Sequence, residues 1–224
     1  MKKIIFALIA AAAATSFQVQ AATFDFQAYA DGSASNGEVF VNSLSNSGLG
    51  EYGYSSYSVE ATDGIKVTAT GNNGDSPAFA YLDSGNAGLG VCKALTTGHQ
   101  CTPSSDDNVT SGETLVLTFN QEVSFTDMTL RNGGHGTTFG EDSTFQLTID
   151  NVLFGDVLLG DLKLFDWGSG TVFEFFNSSG EANPDVFYID SMTVVSAVPL
   201  PAAVWLFGSA LLGFTGFRKF KSKS

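Results

Sequence analysis

The chain has 224 residues, 43% of them hydrophobic, and a formal net charge of −13. Between its two apolar ends only Lys66, Lys93, Arg131 and Lys163 stand against all 23 Asp and Glu, a formal −19 for residues 22–197. That balance excludes nucleic acid as a partner, because phosphate contacts need clustered Lys and Arg.

The first residues have the layout of an export signal. Lys2 and Lys3 precede an apolar run from Ile4 to Ala14, and Val19-Gln20-Ala21 closes it with small residues. Cleavage by signal peptidase is predicted after Ala21, with Ala22 as the near alternative. An uncleaved anchor is the competing reading, but the run is short for a span and its flank is wrong. Residues 22–197 then form one domain, long enough to bury a proper core.

Strand periodicity begins at once. Phe24, Phe26 and Ala28 alternate with Asp25 and Gln27, and Ile65, Val67 and Ala69 alternate with Lys66 and Thr68. Leu115, Leu117 and Phe119 share one face of the next strand. Val123 and Phe125 keep one parity, whereas Met128 and Leu130 take the other, which predicts a bulge near Thr126 and Asp127. Phe145, Leu147 and Ile149 alternate again, and Asp150-Asn151 reads as a tight hairpin turn. Phe173 and Phe175 mark another strand, and Phe187 to Val195 a longer one covered on both faces.

Twenty-two of the 25 glycines fall in this domain, largely between the strands, and no helical periodicity interrupts them. The predicted fold is all-β: a two-layer antiparallel β-sandwich, jelly-roll-like, with an immunoglobulin-type topology as second choice. Asp31 to Tyr57 and Asp83 to Gly112 read as irregular stretches.

Cys92 and Cys101 are the only cysteines. In an oxidising compartment they are expected to form a disulfide around a short loop. A zinc site would have only His99 between the thiols as a further ligand, and the spacing rules out a CxxC pair.

Chemistry is sparse. His99 and His135 sit in no nucleophile or metal pattern, and neither is expected to be catalytic. His135 lies in the glycine loop Asn132-Gly-Gly-His-Gly136, which follows a strand and precedes no helix. Asp106, Asp107 and Asn108, with Glu113 after them and Asp83 before, offer oxygen ligands for calcium. The plainer reading of Asp-Asp-Asn is a polar turn leading into the strand at Thr114. Trp167, Tyr52, Tyr54 and Tyr57 are candidates for stacking on a sugar ring, Trp167 alternatively being a lid on the sandwich. No other cofactor is expected.

The last 27 residues differ from everything before them. Val198-Pro-Leu-Pro201 breaks the final strand, Ala202 to Phe217 is uncharged and apolar, and Arg218, Lys219, Lys221 and Lys223 form a basic stop. As a helix the apolar run reaches roughly 24 Å, short of a bilayer core near 30 Å. The basic end would stay cytoplasmic.

This tail, Val198 to Lys221, resembles the PEP-CTERM sorting signal of Gram-negative bacteria in its Val-Pro-Leu-Pro-Ala variant, comprising Val198, Pro199, Leu200, Pro201 and Ala202. Leu200 stands where the family name has glutamate. The resemblance implies recognition by an exosortase, a membrane cysteine protease that removes the tail near the prolines. It implies a transient inner-membrane anchor, then delivery to the cell surface or an exopolysaccharide matrix such as a biofilm. The run Gly88-Leu-Gly-Val-Cys92, Cys101 and Asp106-Asp107-Asn108 is similar to other ectodomains bearing this tail, and no catalytic activity goes with that similarity. The expectation is a non-enzymatic surface or matrix protein. The alternatives are a carbohydrate-binding module of the matrix and a polysaccharide hydrolase.

Overall fold

The computed structural model describes residues 21–34, 36–45, 48–160, 162, 167–177 and 186–196. The predicted export signal up to residue 20, the proline motif Val198 to Ala202 and the basic residues Arg218, Lys219, Lys221 and Lys223 lie outside the described residues. Among the described residues no helix is long and apolar enough to cross a membrane.

The protein is all-β. Its strands are β1 (Ala21–Asp25), β2 (Val39–Asn42), β3 (Gly53–Tyr54), β4 (Tyr57–Glu60), β5 (Lys66–Asn73) and β6 (Ser76–Asp83). They continue as β7 (Gly88–Cys92), β8 (Glu113–Asn132), β9 (Thr144–Ile149), β10 (Val152–Leu158), β11 (Gly170–Phe176) and β12 (Phe187–Ser196). A single short helix, α1 (Phe26–Ala30), follows β1.

Strand β8 organises the rest. At about 3.3 Å per residue its length approaches roughly 65 Å, far more than one layer needs, and its two halves take different partners. Residues Glu113 to Phe119 pair with β5, and Val123 to Asn132 pair with β12. Since β12 touches β7, β7 pairs with β6 and β6 with β5, these five strands close a ring. The hydrogen bonding is therefore one continuous twelve-stranded system, not two sheets meeting only through side chains.

The parity change inside β8 has the cause its sequence predicts. Asp127 faces Thr193 and Phe125 faces Val194, so Thr126 is the extra residue of a bulge. The bulge restores one inward face: Val123, Phe125, Met128 and Leu130 are all buried. The β9–β10 hairpin also turns where expected, with Asp150 and Asn151 at φ 49° and 65°. Burial pushes the Asp150 carboxyl up, but hydrogen bonds from Thr171 and Val172 outweigh this and hold it below its ordinary range.

Three stretches differ from the sequence reading. The first alternation stops at Asp25, whose side chain accepts from the Ala28 amide at 2.9 Å and caps α1. Phe26 and Tyr29, three apart on that helix, both enter the core. The second is β7, a fully buried strand in what reads as an irregular region. Its glycines serve close packing: a Cβ on Gly90 would lie 2.2 Å from the Asp107 carbonyl oxygen, and one on Gly88 2.3 Å from that of Ile189. Likewise β2 and β3 fall within Asp31 to Tyr57.

Candidate functional site

The end of β7 carries the disulfide. Cys92 and Cys101 are joined, with their Cα atoms 5.8 Å apart. The loop between them is held from both sides. The Thr96 amide donates to the Gln100 carbonyl, and the Gly53 amide of β3 donates to the His99 carbonyl. His99, at φ 63°, places its ring 5.2 Å from that of Tyr54, which lies 6.3 Å from Tyr52. Tyr52 is 40% exposed, so part of this aromatic group faces solvent.

Past the loop, Asp106 and Asp107 separate. Asp106 accepts from the Lys93 amide and pairs with its ammonium at 3.0 Å. The same ammonium lies 3.6 Å from Glu113, which is wholly buried. Burial raises the Glu113 carboxyl to about 7, against the opposing pull of the Thr110 amide and Lys93. Burial also pulls Lys93 down, but its bond to Asp106 and the charge of Glu113 outweigh that and raise it. This cluster is a carboxylate pair sharing one cation, and its place at the start of β8 makes it structural.

Asp107 turns the other way. Gly90 lets the Asp107 backbone lie against β7, and the Asp107 carboxylate accepts from the Tyr188 hydroxyl at 2.6 Å. Burial, and then the bond to Asp107, push the Tyr188 hydroxyl far above its ordinary range, which keeps it a donor. The ring of His135 stands edge-on to Tyr188 at 5.5 Å. Asn132 fixes that histidine, because its side-chain oxygen accepts from the Gly134 and Gly136 amides.

Both imidazole nitrogens face acceptors. Nδ1 lies 2.8 Å from the Gly85 carbonyl and Nε2 lies 3.1 Å from Asp83 Oδ2. A carbonyl only accepts, so Nδ1 is the donor toward Gly85, and Nε2 is the nitrogen turned to the Asp83 carboxyl. Burial, with the Asp107 charge behind it, pushes Asp83 up to about 6, opposed by His135 and Tyr188. Burial raises Asp107 as well. Glu51, which accepts from Tyr81 and Ser84, adds negative charge to both.

In front of these groups lies a cavity of about 350 Å³, with Ser104, Ser105, Asp107, Asn108, His135 and Tyr188 in its wall. Hydroxyls, an amide, an imidazole and a carboxylate line one opening, an arrangement suited to a polar ligand with several hydrogen-bonding groups. The structure thus brings together Asp83, Asp107 and Asn108 of the predicted calcium set. It sends Asp106 and Glu113 to Lys93 instead, so the five do not form one coordination shell. Among the described residues the one group with metal-binding proximity is Cys92, Cys101 and Asp106, and both of its sulfurs are in the disulfide.

Two predicted sugar contacts are corrected. Trp167 is only 4% exposed and packs within 5.4 Å of Phe125 and 6.4 Å of Phe145, as part of the core. Tyr57 is 1% exposed beside Phe40, and burial raises its hydroxyl well above the ordinary range. Tyr52 and Tyr54 remain accessible, joined by His99 in place of Tyr57. Sequence reasoning missed His135 and Tyr188: one looked like a turn residue and the other like a core aromatic. The positive φ of 63° at His135, a non-glycine inside a glycine loop, marks a side chain held in place. No protein-family model matches the chain, and neither a curated protein nor a solved structure matches it.

Proposed function

We propose that this chain is an exported protein that an exosortase sorts to the cell surface or an extracellular polysaccharide matrix, where it acts without catalysing a reaction. The observation that carries this reading is the tail: the prolines of Val198 to Pro201, the short apolar run to Phe217 and the basic residues after it. Prolines at 199 and 201 hold the chain extended outside the membrane, as a protease requires. Signal peptidase cleavage after Ala21 is compatible with the domain, since Ala22 to Asp25 still pair with β12. In this reading the domain is a two-layer, jelly-roll-like sandwich whose layers β8 joins.

A second reading, a carbohydrate-binding module of that matrix, is favoured by the cavity beside Tyr188. A hydrolase fits less well. Glycoside cleavage uses two carboxyl groups across one bond, whereas among the described residues the cavity wall carries one, Asp107, already tied to Tyr188.

The test of sorting is mass spectrometry of the C-terminal peptide together with cell fractionation. Mature protein should lack Ala202 to Ser224 and leave the inner membrane. Replacing Pro199 and Pro201 by Ala should leave export intact and retain the protein at the membrane. Full-length protein ending at Ser224 in a strain with a working exosortase would reduce the tail to a plain anchor.

A further inference from the structure

We infer that the cavity beside Tyr188 binds an amino-sugar unit, a polyhydroxylated ring bearing a protonated amine, with Asp107 receiving the ammonium. This rests on the carbohydrate reading above and assigns its ligand class.

The charge count comes first. Three carboxyl groups, Asp83, Asp107 and Glu51, act on one another beside one imidazole, that of His135, whose Nε2 lies 3.1 Å from Asp83. Among the described residues no ion pair reaches Asp107, and its hydrogen-bond partner Tyr188 is neutral. Among the described residues the imidazole of His135 is the basic group that opposes these carboxyls. The contrast with Asp106, which has Lys93 at 3.0 Å, is direct. An ionised Asp107 can therefore receive a positive group from outside the chain.

The shape of the wall selects which cation. A divalent metal needs several oxygens converging on one point. Among the described residues no carboxylate trio here lies within coordinating distance. An ammonium needs only acceptors along a tetrahedral spread, and its ring neighbours need partners that can both donate and accept. Ser104, Ser105 and Asn108 supply those beside Asp107. A volume of about 350 Å³ holds a sugar unit with room for water.

Raised carboxyls at Asp83 and Asp107 fit the same picture. A ligand cation favours the ionised form of Asp107, so binding should release protons as pH falls toward its titration range.

The experiment is calorimetric titration of the processed, disulfide-intact protein with tetramers of β-1,4-linked glucosamine and with the N-acetylated tetramer. Acetylation removes the charge and keeps the ring. The glucosamine tetramer should bind at least about tenfold more tightly, the scale of one charge-assisted hydrogen bond. Asp107→Asn, which keeps an acceptor for Tyr188, should erase that preference. Glu60→Gln, an exposed charge on β4, should leave it unchanged and so separate the site from the overall field. Equal affinity for both tetramers would overturn the ammonium assignment while a carbohydrate site stood. Binding of neither would overturn the cavity as a glycan site and leave the sorting proposal untouched. Heat from calcium alone, lost in Asp107→Asn, would overturn the assignment in favour of a metal.

Discussion

Asp106 and Asp107 are chain neighbours with opposite surroundings. Asp106 joins Glu113 around Lys93, so two carboxylates share an internal cation. Asp107 joins Asp83 around Tyr188 and His135, where one imidazole stands against two carboxyl groups. The first group closes the start of β8 and asks for nothing from outside. The second opens on a cavity with charge left over. Adjacent acidic residues are thus no single feature. In an extended segment their side chains point to opposite sides, and what waits on each side decides their roles.

The disulfide frames the first group, and breaking it should have the largest effect. Replacing Cys92 and Cys101 together by Ser should cost roughly 2 to 3 kcal/mol by loop entropy. Urea unfolding of the variant against the oxidised protein measures this. Thiol labelling of unfolded, unreduced protein should find neither cysteine, and labelling at both would remove the bridge from the exported form.

Next in size is the titration of Glu113. Its folded carboxyl sits at about 7 against an ordinary value of 4.5. Between those pH values the folded state holds the proton more firmly than the unfolded chain does. Stability contributed at this position is therefore greatest in acid and falls as pH rises toward 7, by on the order of 2 kcal/mol. Glu113→Gln should flatten that slope in urea titrations run from pH 4.5 to 8. Lys93→Met should steepen it, because the ionised Glu113 then has no cation. A slope that is the same in all three proteins would show that the cluster does not titrate as its burial requires.

The smallest effect belongs to the second group. Tyr188→Phe removes one hydrogen bond to Asp107 and should cost about 1 kcal/mol. The ring stays, so packing against His135 is kept. A loss several times larger would mean that the hydroxyl supports the wall as a whole and that Asp107 is as structural as Asp106.

Much of the strand framework is legible in the sequence because period-two alternation reports a half-buried strand directly. The bulge at Thr126 shows this best, since the parity of Phe125 and Met128 cannot be reconciled without it. Strand β7 is not legible: Gly88 and Gly90 remove the side chains that alternation needs, and they are there so that other backbone can approach. Trp167 reads as a turn residue open to a ligand because Asp166 and Gly168 flank it, yet three aromatic neighbours enclose it. The cavity was hidden for a different reason. Its groups come from Asp107, His135 and Tyr188, with Asp83 behind the histidine, each ordinary in its own segment, and the closure of the strand ring assembles them.

Strand β12 has Tyr188 near one end, in the cavity wall, and Ser196 at the other, where the chain leaves the domain. A pull applied between Tyr188 itself and the chain beyond Ser196 loads the axis of that one strand. The tension passes through covalent backbone from Tyr188 to Ser196. The hydrogen bonds to β8 and β1, lying perpendicular to it, steady the strand without carrying the pull in series. The remaining wall reaches β12 through the paired amides and carbonyls of Val109 and Phe187, next to Tyr188. Most of the fold therefore stands outside that line, and Asp107 is joined to it by hydrogen bonds alone.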